Sequence, residues 1–106
     1  MTVGRRQLFA YWRVEVDRLP QILAAMQVWQ SGRCREIGGL VASLYVRDDA
    51  GPDATVMEAY AMTAMTQPEG LTGAQLAALG APQVDGPWPA GRRRFEVFDA
   101  VTAPGG

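Results

Sequence analysis

The chain has 106 residues and a formal net charge of −1, ten arginines standing against eleven acids. That length suits one domain burying about two-thirds of the surface its unfolded chain exposes, and the near-neutral balance gives no electrostatic grip on nucleic acid or an anionic membrane. Cys34 is the only cysteine and histidine is absent, which excludes an internal disulfide and removes the commonest general base and metal ligand.

Lysine and asparagine are missing too, a pattern expected of a GC-rich bacterial genome. The opening MTVGRRQLFAYWRVEVD resembles a twin-arginine export signal in its arginine pair. However, Arg13, Glu15 and Asp17 break the apolar stretch, and no cleavage site follows. No apolar run approaches a membrane span, so the expected location is the cytoplasm.

Residues 8–16, LFAYWRVEV, alternate and predict a strand, with Leu8, Ala10, Trp12, Val14 and Val16 on one face. Asp17 is placed to cap a helix with Pro20 in its first turn. Leu19, Ile22, Leu23, Met26 and Trp29 form its apolar stripe, and Ser31-Gly32 is the expected stop. GLVASLYVR (39–47) and TVMEAYAMT (55–63) predict two strands joined as a hairpin by DDAGPD. Thr72 and Gln75 fit a capping box for a second, short helix ending at Gly80, with Leu71 and Leu76 as its hydrophobic staple. A proline- and glycine-rich loop (80–91) carries Trp88 and leads into a last strand, RRRFEVFDAV, over 92–101. One domain is expected over 7–101, with 1–6 and 102–106 as flexible ends.

This order, β-α-β-β-α-β, predicts a ferredoxin-like α+β fold: a four-stranded antiparallel sheet, strand order 4-1-3-2, with two helices on one face. The covered face takes Leu8, Ala10, Trp12 and Val14; Leu40, Ala42, Leu44 and Val46; Met57, Ala59 and Ala61; and Phe95 and Val97. By alternation the open face receives Phe9, Tyr11 and Arg13; Tyr45; Val56, Glu58, Tyr60 and Met62; and Arg94, Glu96 and Phe98. Five of the nine aromatic residues, every tyrosine among them, are thereby expected on a side no helix hides. A face that oily calls for a second copy pressed sheet to sheet. Glu58 is expected in cross-strand reach of Arg13 and Glu96, either as part of an ion-pair cluster fixing dimer register or as a desolvated base. The structural role is the favoured one.

The sets Tyr11-Trp12-Arg13-Val14, Leu44 through Arg47, Thr55-Val56-Met57-Glu58-Ala59-Tyr60 and Arg94-Phe95-Glu96-Val97-Phe98 resemble a family of short proteobacterial proteins of unknown function. There the strands look like Y-Y-R-V, L-L-x-R, T-W-M-E-V-Y and R-H-V-E-x-F, and the likeness covers roughly residues 8–100 of this chain. The sequence departs at Val56, where the family has tryptophan, and near Phe95, where histidine is frequent; a role resting on that histidine does not carry over. That family in turn resembles the dimeric α+β barrel superfamily, which includes cofactor-independent monooxygenases, haem-degrading enzymes, muconolactone isomerases and chlorite dismutase-like proteins. The resemblance implies a homodimer and hands over none of those reactions.

Other chemistry is thin. Cys34, expected just past the first helix, has no histidine to activate it. DDAGPD lacks the calcium-loop spacing, and neither zinc nor haem finds its usual imidazole. No metal and no cofactor is expected. Trp12 and Trp29 are placed to face each other between sheet and first helix, where the superfamily keeps its ligand pocket, and Trp88 is a candidate lid or plug. Two readings follow. One is a non-catalytic homodimer, with or without a small apolar or aromatic ligand. The other is a cofactor-independent monooxygenase- or isomerase-like enzyme using Tyr11, Arg13, Glu58 and Tyr60.

Overall fold

The computed structural model describes residues 2–80 and 93–101. The elements run β1 (Arg6–Glu15), a 3-10 turn (Val16–Arg18), α1 (Leu19–Glu36), β2 (Leu40–Asp48), β3 (Asp53–Met62), α2 (Gly73–Gly80) and β4 (Arg94–Asp99). The four strands form one antiparallel sheet in the order β2-β3-β1-β4, an α+β arrangement compatible with a ferredoxin-like fold. Trp88, the rest of its loop from residue 81, and the tail from residue 102 lie outside the described residues.

Both helices deliver side chains to the face of Leu8, Ala10, Trp12 and Val14. Ile22 and Met26 of α1 pack with Trp12, Val14 and Val56 in one cluster. Leu79 of α2 joins Leu8, Leu40, Tyr60, Met62 and Leu71 in the other. Trp29 touches both clusters and so joins the two halves of the core.

Local signals decide the helix ends, with two corrections. The capping box at α2 forms as expected: the Gln75 amide N–H donates to Thr72 Oγ1 (3.2 Å) and the Thr72 N–H to Gln75 Oε1 (3.0 Å). Asp17, however, does not cap α1; it sits in the 3-10 turn, and Arg18 is the N-cap, with no side-chain hydrogen bond. Ser31-Gly32 does not stop the helix either. Gly32 lies in open space, costing about 1 kcal/mol relative to alanine without blocking propagation. The helix runs on through Cys34 to Glu36, aided by an Arg33–Glu36 ion pair, and ends before Gly38-Gly39, where Gly39 takes φ +86°.

The expected flexible start is tied in from Thr2. The Thr2 carbonyl accepts from Ala64 N–H (2.9 Å), and Gly4 N–H donates to the Met62 carbonyl (2.6 Å). Arg6 pairs in parallel with Gly70, whose φ of +90° lets the two backbones touch. A Cβ at Gly70 would overlap the Arg6 backbone.

The main correction concerns β3. Its register aligns Leu8 with Tyr60, Ala10 with Glu58 and Trp12 with Val56, and directly paired residues share a face. Val56, Glu58, Tyr60 and Met62 therefore point under the helices, while Met57, Ala59 and Ala61 take the outer face. Both parities of VMEAYAM are apolar enough to be core, so alternation alone leaves the choice open. Volume decides it: the larger set fills the space beneath the helices, and the alanines suffice outside. At β4 the expected core residues Phe95 and Val97 do lie on the helix side but are about half exposed.

Candidate functional site

Glu58 is fully buried, and the sequence supplies a donor for each acceptor position of its carboxylate. Trp12, two places along β1 from the Ala10 that faces Glu58, turns its indole Nε1–H onto Oε2 at 2.9 Å. Tyr60, the next side chain on the same face of β3, donates its hydroxyl to Oε1 at 2.5 Å. Arg93, immediately before β4, closes a fork: Nε to Oε2 at 2.9 Å and Nη2 to Oε1 at 2.5 Å. A carboxylate offers about four acceptor sites. All four are engaged.

Arg93 is itself almost wholly buried. Its Nη1 donates to the Leu79 carbonyl (3.0 Å) in the last turn of α2, where a cation also meets the negative end of the helix dipole. Its guanidinium lies 5.2 Å from the Trp29 ring centre and 4.7 Å from that of Phe95. Trp29 meets Tyr60 edge to face at 6.0 Å and carries Arg33 at 5.4 Å. One acid thus ties together β1, β3, the approach to β4, and both helices.

Burial pushes the Tyr60 hydroxyl well above the ordinary phenol range, and the Glu58 charge and hydrogen bond push it further. Tyr60 is therefore a neutral donor at any physiological pH.

Of the four candidate catalytic residues, the structure brings Glu58 and Tyr60 together and leaves Tyr11 and Arg13 on the opposite side of the sheet. The expected Arg13–Glu58–Glu96 cluster does not form, because Glu58 faces the helices. Arg13 pairs with Asp53 at 3.8 Å in an exposed contact. The expected facing of Trp12 and Trp29 takes the form of two indoles packed against the same cluster, Val14, Ile22, Met26 and Val56. Arg93 was not among the expected residues. Its signal was parity: it alternates with Phe95 and Val97, making it the cation on the core side of the last strand.

No family model, curated protein or solved structure matches the chain.

The remaining candidates are quickly placed. Cys34 lies within α1, half-buried. In the hairpin turn, Asp49 is held by Thr55 (2.6 Å) and Arg47 (2.6 Å), which draw its carboxyl below the usual range, and Asp48 caps the Ala50 N–H. Among the described residues, no group of three or more His, Cys, Asp or Glu side chains is placed to hold a metal. Likewise, no described helix is long and apolar enough to cross a membrane.

On the outer face the register stacks Tyr45, Met57, Tyr11 and Arg94 in one row across the sheet and Ser43, Ala59, Phe9 and Glu96 in the next. Phe9 meets Phe98 edge to face at 5.6 Å, and a shallow cleft of about 270 Å³ opens among Phe9, Tyr11, Met57 and Phe98. Tyr60 is gone from this side, but two tyrosines, two phenylalanines and a methionine remain.

Proposed function

We propose that the chain is one half of a homodimeric, ferredoxin-like scaffold of the dimeric α+β barrel kind, joined through the outer sheet face. In this reading the Glu58–Arg93 pair fixes the fold and performs no chemistry. The observation that carries the reading is the row of Tyr45, Met57 and Tyr11 with Phe9 and Phe98 beside it, on a sheet side that no described helix covers. Four strands about 4.8 Å apart and seven residues at about 3.4 Å give a projected patch on the order of 450 Å². With side-chain relief this approaches the roughly 800 Å² that each side of a standard interface loses. Ala59 and Ala61 keep the centre of the patch low, so two such sheets can approach closely. Ion pairs Arg13–Asp53 and Arg47–Asp49 form a self-neutralised polar rim at one end.

The enzymatic alternative draws little from Glu58. A general base needs a free acceptor within reach of the substrate proton, and this carboxylate is enclosed with every acceptor position filled. Light scattering on the purified protein at tens of micromolar tests the proposal. A mass twice the 11.5 kDa of one chain is expected. A mass equal to one chain overturns it.

A further inference from the structure

Among the described residues a further concavity lies apart from the buried pair and the outer face. α1 lies over β1 and β3, where Ile22 and Met26 meet Trp12, Val14 and Val56. β2 is an edge strand, and its helix-side residues Ala42 and Leu44 are therefore only half covered. Between that strand and α1 runs a groove of about 690 Å³. This is within the size range of small-molecule sites.

The two walls differ in chemistry. β2 contributes the apolar Ala42 and Leu44. The facing stripe of α1 carries Gln27, Gln30, Ser31 and Arg35, positions that recur at helical spacing and share one face. Among the described residues no acid lines the groove. Arg35 has no ion-pair partner among the described residues, whereas Arg5, Arg6, Arg13, Arg33, Arg47 and Arg93 each have one.

The floor is built. Gln30 is buried and donates Nε2–H to the Ser43 carbonyl at 2.9 Å; Ala42, next to Ser43 on β2, pairs with the Tyr60 that holds Glu58. A buried amide costs stability unless it is bonded, and this one is held by the Ser43 carbonyl. The groove floor is thus tied from α1 to β2 by a buried hydrogen bond, as a pre-organised site requires.

We propose that the α1–β2 groove binds a small organic carboxylate, with its acid group forked on Arg35 and its apolar body laid along Ala42 and Leu44. Gln27 and Ser31 supply hydrogen bonds beside the acid. A guanidinium is the side chain best matched to a carboxylate, because two parallel N–H bonds meet its two oxygens. The carbonyl end of α1 opposes an anion, but that field is weak at an exposed site and fades within one turn. The site is on the far side of the sheet from the proposed dimer face, so the two proposals stand or fall separately.

Cys34 also lines this groove and is the only thiol of the chain, which makes it a built-in reporter. The full-length protein is alkylated with neutral iodoacetamide, and the rate at Cys34 is followed by intact mass, with benzoate or hexanoate as probe and benzamide or hexanamide as the uncharged match. A bound acid is expected to slow alkylation saturably, by about tenfold at ten times its dissociation constant. The amides are expected to give little protection. In Arg35→Gln the thermal midpoint stays as in the parent, while protection by the acids, taken relative to that variant's own unliganded rate, falls about tenfold. Three results overturn the proposal: no saturable protection by either acid, equal protection by acid and amide, or undiminished protection in Arg35→Gln.

Discussion

Arg93 and Glu58 meet as a fork inside the core, Nε on one carboxylate oxygen and Nη2 on the other, 35 residues apart in sequence. Removing one partner of such a pair strands the other charge where water cannot reach it, at a cost of about 3–5 kcal/mol. Glu58→Gln and Arg93→Met should each lower stability by that amount. The double variant should lose less than the sum, with a coupling of about 1–3 kcal/mol in urea unfolding. Purely additive losses would show that the pair does not act as a unit.

Trp12→Phe keeps a ring in the core and removes the indole donor to Glu58 Oε2. A bond to a charged group is worth about 1.5–3 kcal/mol, and a stability loss in that range is expected. Trp29 meets Tyr60 edge to face and serves as the comparison, because Trp29→Phe keeps a ring at that contact. If both substitutions cost the same and neither couples to Glu58→Gln, the indole bond contributes nothing specific.

The raised ionisation of Tyr60 makes stability depend on alkaline pH. The folded chain holds this proton above the pH at which the unfolded chain releases it. The contribution is therefore whole below about pH 10 and declines as pH climbs beyond it, by about 1.4 kcal/mol per unit. Phenolate absorbance should show one tyrosine of three appearing only as the fold is lost. In Tyr60→Phe that late signal should vanish and the alkaline decline should flatten.

Two glycines should respond in opposite directions. Gly70→Ala forces a side chain into the Arg6 backbone at a φ that disfavours it, and should cost at least about 1–3 kcal/mol. Gly32→Ala sits inside α1 with nothing near the added methyl, and should stabilise by about 0.5–1 kcal/mol. Urea midpoints read both.

Tyr45→Glu puts a charge at an exposed point of the outer face without touching the core. If two copies join there, light scattering should shift from the doubled to the single mass while the far-ultraviolet circular dichroism stays unchanged. A dimer that survives this substitution and Met57→Glu uses some other surface.

The sequence made β1, β2, the hairpin and the cap of α2 legible because each carried a one-sided signal: strict alternation, an aspartate-rich turn, or Thr72 and Gln75 three apart. β3 failed for a physical reason. In VMEAYAM the acid is the only polar asymmetry, and the general preference for acids outside points the wrong way once four donors are waiting inside. Volume carried the correct answer, since Tyr60 and Met62 outweigh Ala59 and Ala61. With that parity reversed, Glu58 would have fallen opposite Ala10 and beside Trp12, and the need for a buried counter-charge would have drawn attention to Arg93. α1 outruns its expected end because Ser31-Gly32 resembles a stop without acting as one, whereas the chain turns out of the helix at Gly38-Gly39.

The acid and its neutralising arginine become available at different times during synthesis. A ribosome that has released β3 has already exposed Glu58, Tyr60 and Trp12, yet the core they build stays unneutralised until residue 93 emerges and docks. A polypeptide that stops short of residue 93 leaves Glu58 without its counter-charge, so the core closes only once the last strand is in place.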